Sequence, residues 1–510
     1  MPINAAEIKQ STELTCDAVI VGSGAGGAAI AWQLSRAGWD VVLLEEGAEF
    51  RSSDFTRRAW DSTRTMYRDG GSSVTLGTPG IPLPLGRTWG GTTTVNSGTC
   101  LRVPEFVFDK WHKQSNFKLK LDELTEYYAV AEKIQNVEPV AVDIMGAGNT
   151  LFAAGAERLG LKGRPLTRNT RDCKGTGLCA FGCPEGAKQS MGQTFLPQAE
   201  AAGLRGYVNV RAADVLLKRG KAAGILAHPL EQPGSSRVNK NAEIKVKSKV
   251  VILAMGSIHT PNFLLQNQLA NSSGEVGRNL RIHPAGKLIG MFEQDIYGWT
   301  GVPQAYIVDH FMPEGIVFEG AFVPPSALAF ALPALGHELK RLMANYNKLG
   351  GFGVMVTDTS AGTVRPGLGG RPLVQYNLNR HDTDLFRRGI AIGCDVYLEA
   401  GAKEVLTCLF GSERVRSKAE AHAILERKIR PADLELIAFH PVGTARMGDD
   451  AYEDVVNHDG CSYDVPNLYI ADASIFPGSP AVNPQLTIMA MALRIGAILD
   501  SPKGKLLASV

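Results

Sequence analysis

Cysteine is scarce in this chain. Eight in 510 residues are far too few for the disulfide framework of a small secreted fold. No stretch approaches eighteen uninterrupted apolar residues, so nothing reads as a bilayer span. Excess charge of either sign is lacking too: 53 Lys and Arg against 51 Asp and Glu leave +2. That balance gives no case for nucleic acid or an anionic membrane as partner. The opening, MPINAAEIKQSTELTCD, has no basic start followed by an apolar run, so neither a signal peptide nor a twin-arginine address is expected. Internal repeats and low-complexity tracts are also missing. With 44% hydrophobic and 20% charged residues, the chain reads as soluble and cytoplasmic, long enough for two or three cores.

Glycine, by contrast, is plentiful and sits where it carries information. In CDAVIVGSGAGGAAIAWQLSRAGWDVVLLEEG, Ala18 to Val21 reads as a buried strand and Gly22, Gly24 and Gly27 as the turn after it. Ile30 and Leu34 mark one face of a helix that Gly38 closes, and Val41 to Leu44 form a second strand ending at Glu45. This βαβ unit is a dinucleotide-binding pattern. Gly22 permits the turn, Gly24 lets a pyrophosphate approach the backbone, and Gly27 lets the helix pack on the strand. The helix N-terminus would face the phosphates, and Glu45 would accept from the ribose hydroxyls, with Glu46 the one-residue alternative.

Residues 86–102, GRTWGGTTTVNSGTCLR, form an uncharged loop between two arginines, rich in backbone N–H groups and hydroxyls for a polar cofactor. Strands are expected over 205–218 and 245–254, and a helix after Gly256. From about 286 the character changes to longer apolar segments with many prolines, which predicts a second domain. Within it PPSALAFALPAL reads as a core helix, with a substrate lid or membrane-touching loop as the alternative. Towards the end, FHPVGTARMG carries His440 in a loop, and Leu468 to Ala471 form a strand ending at Asp472. SPAVNPQLTIMAMALRIGAIL reads as a helix with Asn483 at the N-cap and Pro484 at its first position. A cofactor domain assembled from both ends of the chain follows from that layout.

These segments in this order, VIVGSGAGG with LLEEG, GRTWGGTTTVN, GSIHTP, VGRNLRIHP, HPVGTARMG and NLYIADASIFP…NPQLTIMA, resemble the glucose–methanol–choline (GMC) family of FAD-dependent oxidoreductases over essentially the whole chain. The resemblance implies an α/β fold in which an FAD-binding Rossmann-like domain (1–105, 186–285 and 440–510) interleaves with a sheet-plus-helix substrate domain (286–439), and 106–185 form a cysteine-containing insertion. It also implies oxidation of an alcohol CH–OH group by hydride transfer to flavin N5. Carried over by position, Gly22, Gly24, Gly27 and Glu45 would hold the ADP half. Gly90, Gly91, Thr92 and Asn96 would line the pyrophosphate and flavin edge, and Val215 would meet the adenine through its backbone. Asp472 and Ala473 would follow the ribityl chain and diphosphate. His440 and Asn483 would flank the flavin on the substrate side. The sequence departs from the family in carrying Thr92, Thr93 and Thr94 where serines are usual, and TPNFLLQN where the second signature usually ends in Ser-Gly. It also has Asn483 where some members have a second histidine.

Histidine, with an ordinary pKa near ~6.5, suits removal of the hydroxyl proton. His440 is therefore the expected base, and Asn483 would orient the same oxygen. The helix beginning at Pro484 would turn its positive end to the flavin N1/C2=O edge. His283 has a weaker claim from its place in NLRIHP, and the remaining histidines read as structural. Cys173, Cys179 and Cys183 lie in CKGTGLCAFGCPEG with no histidine within twenty-five residues on either side, which argues against a closed zinc site. Two readings stay open: an iron–sulfur cluster with three protein ligands, such as 3Fe-4S, or inert or locally paired thiols. The resemblance to GMC dehydrogenases implies electrons passing to a cytochrome or quinone. An oxidase using O₂ on long-chain or other hydrophobic alcohols is the alternative, and a non-redox, lyase-type flavoprotein is a further one.

Overall fold

Uninterrupted apolar runs suit strands covered on both faces, and Ala18–Val21 and Val41–Leu44 both lie inside the protein. In the computed structural model, which describes residues 1–502 and 504, they belong to one of two eight-stranded sheets. Thr12–Val21 runs parallel to Val41–Leu44 on one side and to Ile244–Leu253 on the other. Arg205–Val208 and Ile3–Asn4 extend the sheet beyond Val41–Leu44. Lys221–Pro229 and Val210–Lys218 close the opposite edge as an antiparallel hairpin. Leu468–Ile470 adds in parallel to Ile244–Leu253, so segments far apart in sequence complete one sheet. The helix Ala25–Arg36 packs against Gln485–Asp500. That later helix buries Leu486, Met489, Leu493, Ile495 and Leu499, because Thr125–Ile134 covers another of its faces.

The second sheet is antiparallel. Ala285–Met291 pairs with Leu349–Val356 and Glu404–Thr407, and Ile316–Gly320, Tyr306–Val308 and Gly163–Pro165 follow outward. Arg380–Glu399 and Ala147–Arg158 pack on it, with Phe152 stacked on Phe352 at 3.7 Å between centroids. The segment 106–185 is shared between the two sheets. Thr125–Ile134 joins the first core, whereas Ala147–Arg158 and Gly163–Pro165 join the second.

Two expectations are corrected here. The strand over 205–218 is broken at Asn209, whose φ of 58° turns the chain from the parallel segment into the hairpin. The apolar stretch near 324–345 is not one core helix. Pro333 forces Leu332 into extended backbone, and two short helices result, Pro325–Ala331 and Gly336–Ala344. Each buries a single leucine, Leu328 or Leu342, while Phe330 and Leu335 stand 89% and 87% exposed.

Candidate active site

A cavity of about 1520 Å³ lies between the sheets, larger than the roughly 300–1,000 Å³ of ordinary ligand pockets. It has room for a dinucleotide and a second small molecule. One end is the glycine turn. Gly22 has φ 99°, and a Cβ on Gly27 would lie 1.8 Å from the Gly22 carbonyl oxygen, so helix and strand touch through glycine. At Gly24 a Cβ would meet nothing within 4 Å and would stand in the cavity that this residue lines. Ala25–Arg36 begins without a side-chain cap, which leaves its first N–H groups free for an anion. The loop 86–102 closes on the turn, since a Cβ on Gly91 would come 2.7 Å from Gly24 Cα. This cradle fits a diphosphate.

Glu45 is buried and clamps the turn. Its Oε2 accepts from Ser23 N (3.0 Å) and Ser23 Oγ (2.7 Å), and its Oε1 from Gly47 N (2.7 Å). Burial raises its pKa. About one acceptor position is left toward the cavity. Gly90 stands behind the lining and donates its N–H to Ser23 Oγ at 3.0 Å. Glu46 is committed elsewhere, to Arg211, Arg68 and Arg87 at 2.8, 3.1 and 3.5 Å. Burial opposes its ionisation, but the three guanidiniums hold its carboxyl far below the usual range. Val215 does not reach the cavity. Val210, Arg211 and Ala212 of the same strand do, because that strand begins beside Glu45, whose carbonyl accepts from Val210 N at 3.1 Å.

Thr92, Asn96, Asp472 and Ala473 all line the cavity. Asp472 spends both oxygens on the protein: Oδ2 accepts from Gly256 N (2.9 Å) and the Thr260 hydroxyl, Oδ1 from Ser474 N (2.8 Å). It thus ties the end of Leu468–Ile470 to the helix Gly256–Gln266. Asn96 Nδ2 donates to Gln485 Oε1 (2.8 Å), and Gln485 Nε2 to the Thr99 carbonyl (2.7 Å). Gln485 was not anticipated from the sequence.

At the other end, His440 Nε2 faces Asn483 Nδ2 at 3.3 Å and His440 Nδ1 faces His283 Nδ1 at 3.1 Å. The last helix starts one residue later than expected, at Gln485, with Pro484 in the cap position. Asn483 therefore lies outside the helix, its amide free to meet His440. Desolvation pulls the His440 imidazole down to about 4, and burial together with the neighbouring His440 pulls His283 well below its ordinary value. His283 adopts φ 48°, and its N–H donates to Asp358 Oδ1 at 3.2 Å. On the facing sheet Glu319 enters the cavity wall, a lone acid in the apolar strand Ile316–Gly320 that sequence reasoning passed over.

The three cysteines surround a pocket of only about 10 Å³. Among the described residues no group of three Cys, His, Asp or Glu is placed to hold a metal ion, so the iron–sulfur expectation finds no support. The surroundings explain Cys179 differently. Its sulfur accepts from Arg168 Nη2 at 3.1 Å, and Arg168 is 1% exposed. Lys188, equally buried, donates to the carbonyls of Thr94, Asn96 and Cys179. Burial alone would raise the Cys179 thiol, but the Arg168 and Lys188 charges leave it below its ordinary value. The Arg168 guanidinium and the Lys188 amine are thus the groups that draw the Cys179 thiol down.

Comparison with known proteins agrees with this geometry. GMC oxidoreductase family profiles match residues 63–285 and 359–492, and an NAD(P)-binding Rossmann-like profile matches 20–72. An uncharacterized GMC-type oxidoreductase of Mycobacterium tuberculosis is 38% identical over 94% of this chain and 75% of its own length. A long-chain-alcohol oxidase of Arabidopsis thaliana is 27% identical over 96% and 68%. Among solved structures, pyridoxine 4-oxidase from Mesorbium loti superposes with a TM-score of 0.71 at 19% identity, covering 94% of this chain and 98% of its own. A formate oxidase of Aspergillus oryzae studied for its FAD modification gives 0.72 at 16%, over 98% and 100%.

Proposed function

The chain belongs to the GMC oxidoreductase family and is an FAD-dependent oxidoreductase, and from that premise we propose that it oxidises the CH–OH group of an alcohol to the carbonyl. The observation that carries this is the His440–Asn483 contact at 3.3 Å on the cavity wall. Bound FAD supplies the two-electron acceptor that takes the hydride from the carbinol carbon. The chain's own residues handle the proton. His440 Nε2 takes it from the substrate hydroxyl: with the Asn483 Nδ2 amide 3.3 Å away, Nε2 is read as the acceptor nitrogen and Nδ1–H as the donor to His283 Nδ1. An imidazole held near 4 is neutral at physiological pH, so the base is ready. Asn483 Nδ2–H donates to the substrate oxygen, and the uncapped start of Gln485–Asp500 offers its positive end to negative charge on the cofactor side.

In this reading the first sheet carries the cofactor and the second forms the substrate wall. Gly22, Gly24, Gly27 and Glu45 hold the ADP half, with Gly91, Thr92 and Asn96 along the next stretch, Gly90 supporting them from behind through Ser23, and Asp472 and Ala473 beyond. Electrons leave to an external acceptor, a quinone, a cytochrome or O₂. A hydrophobic alcohol is favoured by one observation: Phe330, with Ala327, Leu328 and Ala331 on the cavity lining, is an exposed aromatic at the rim. Anaerobic mixing of holoenzyme with an alcohol series is the test. Bleaching of the flavin with carbonyl formation supports the proposal, and loss of that reduction in His440→Ala at normal FAD content supports the base. Carbonyl formation with the flavin left oxidised would select a lyase instead.

A further inference from the structure

Glu319 is a carboxyl buried to 2% exposure on the cavity wall, and among the described residues no cation pairs with it. Arg164, the nearest to influence it, pairs with Asp309 at 3.1 Å, and Lys287 of the same sheet pairs with Glu435 at 2.6 Å. Burial pushes Glu319 up to about 8, so it keeps its proton at neutral pH. Neighbours decide which oxygen carries it. The Thr99 hydroxyl donates to Gln304 Oε1 (2.8 Å), which turns the Gln304 amide so that Nε2 donates to Glu319 Oε2 (3.0 Å). Oε2 is an acceptor, and the proton falls to Oε1. Among the described residues that atom has no partner within hydrogen-bond geometry, and neither has Asn483 Oδ1, although the Asn483 amide approaches Glu319 closely enough to moderate its acidity. Asn483 thus borders both His440 and Glu319.

An alcohol oxygen has one hydrogen to give and two lone pairs to fill. His440 Nε2 matches the hydrogen and Asn483 Nδ2–H one lone pair, which leaves one unmatched. We infer that Glu319 is a third group at the reacting oxygen, a neutral carboxylic acid whose Oε1–H donates to the oxygen that His440 and Asn483 hold. The site would then take uncharged hydroxyl and carbonyl oxygens and disfavour carboxylates, whose full negative charge would lose its hydration between a neutral His440 and a neutral Glu319. This rests on the alcohol-oxidation reading, and its first test does not depend on turnover.

In the holoenzyme at pH 7, the infrared difference between wild type and E319Q should contain one protonated-carboxyl C=O band belonging to the wild type. The ketone cyclohexanone should shift that band and perturb the visible flavin bands. E319L should bind cyclohexanone at least about tenfold more weakly and lose about 100-fold in kcat/KM, the scale of one lost oxyanion donor. E319Q keeps a donor and should stay within about tenfold. No Glu319 carboxyl band, a band that cyclohexanone does not move, or wild-type cyclohexanone affinity in E319L would each overturn the inference. If E319L loses FAD, the infrared comparison with the isosteric E319Q still decides. Wild-type turnover in His440→Ala alongside an intact band shift would sink the base and leave the Glu319 donor standing.

Discussion

Replacing His440 by Asn should change how the protein responds to acid as well as its turnover. In the unfolded chain this imidazole titrates near ~6.5, and in the folded protein near 4 because burial disfavours the cation. The folded pKa is depressed, so between these values the unfolded state binds more protons and stability falls as pH falls. Above about 7 both states are neutral and the effect vanishes, and below about 4 both are charged and the loss levels off. Integrating the two titrations from pH 7 to pH 5 gives about 2 kcal/mol, rising to about 3 kcal/mol at pH 4. Urea unfolding of wild type and H440N, each loaded with FAD, at pH 7, 6, 5 and 4 would measure it. H440N should narrow its stability difference from wild type by about 2 kcal/mol between pH 7 and 5, in its own favour. His283 titrates in both proteins and largely cancels. Parallel pH curves, within about 0.5 kcal/mol, would refute the claim that His440 is held neutral by desolvation, and an acid limb of kcat/KM near 6.5 instead of near 4 would refute it independently.

Gly26→Ala should destabilise by about 1–3 kcal/mol and lower FAD occupancy, because its Cβ would lie 1.7 Å from the Ala471 carbonyl oxygen; a wild-type Tm and flavin content would contradict this. Cys179 should be alkylated by iodoacetamide at pH 7 several-fold faster than Cys183, and R168M should abolish the difference, as read by peptide mass mapping. Equal rates at the two cysteines would show that Arg168 and Lys188 do not activate Cys179.

What could be read in advance was local. Ala18–Val21, the glycine turn and Val41–Leu44 announce themselves within thirty residues, since the two apolar runs and the glycine spacing between them all lie in one βαβ unit. His440 and Asn483 were legible only through resemblance, because nothing near either sequence position shows that the other is 3.3 Å away. Val215 lies off the cavity for a reason of register. Asn209 breaks the strand, and the cavity meets the hairpin at its first residues. Glu319 had only one sign, an acid in an apolar strand, and its meaning depends on Gln304 and Asn483 arriving from other segments. The cysteine spacing invited a cluster, and nothing in it announced the two basic side chains, Arg168 and Lys188, that pack around Cys179.

The parallel pairing of Leu468–Ile470 with Ile244–Leu253, locked by Asp472 to the helix at Gly256, sets a timetable for biosynthesis. At roughly 5–20 residues per second, Thr12–Val21 leaves the ribosome tens of seconds before the strand and helix that finish its sheet. Until then the flank of Ala25–Arg36 that meets Gln485–Asp500 is uncovered and the cofactor cleft stays open. A message truncated shortly before codon 468 would yield a polypeptide with almost every glycine of the cradle and no means of closing it.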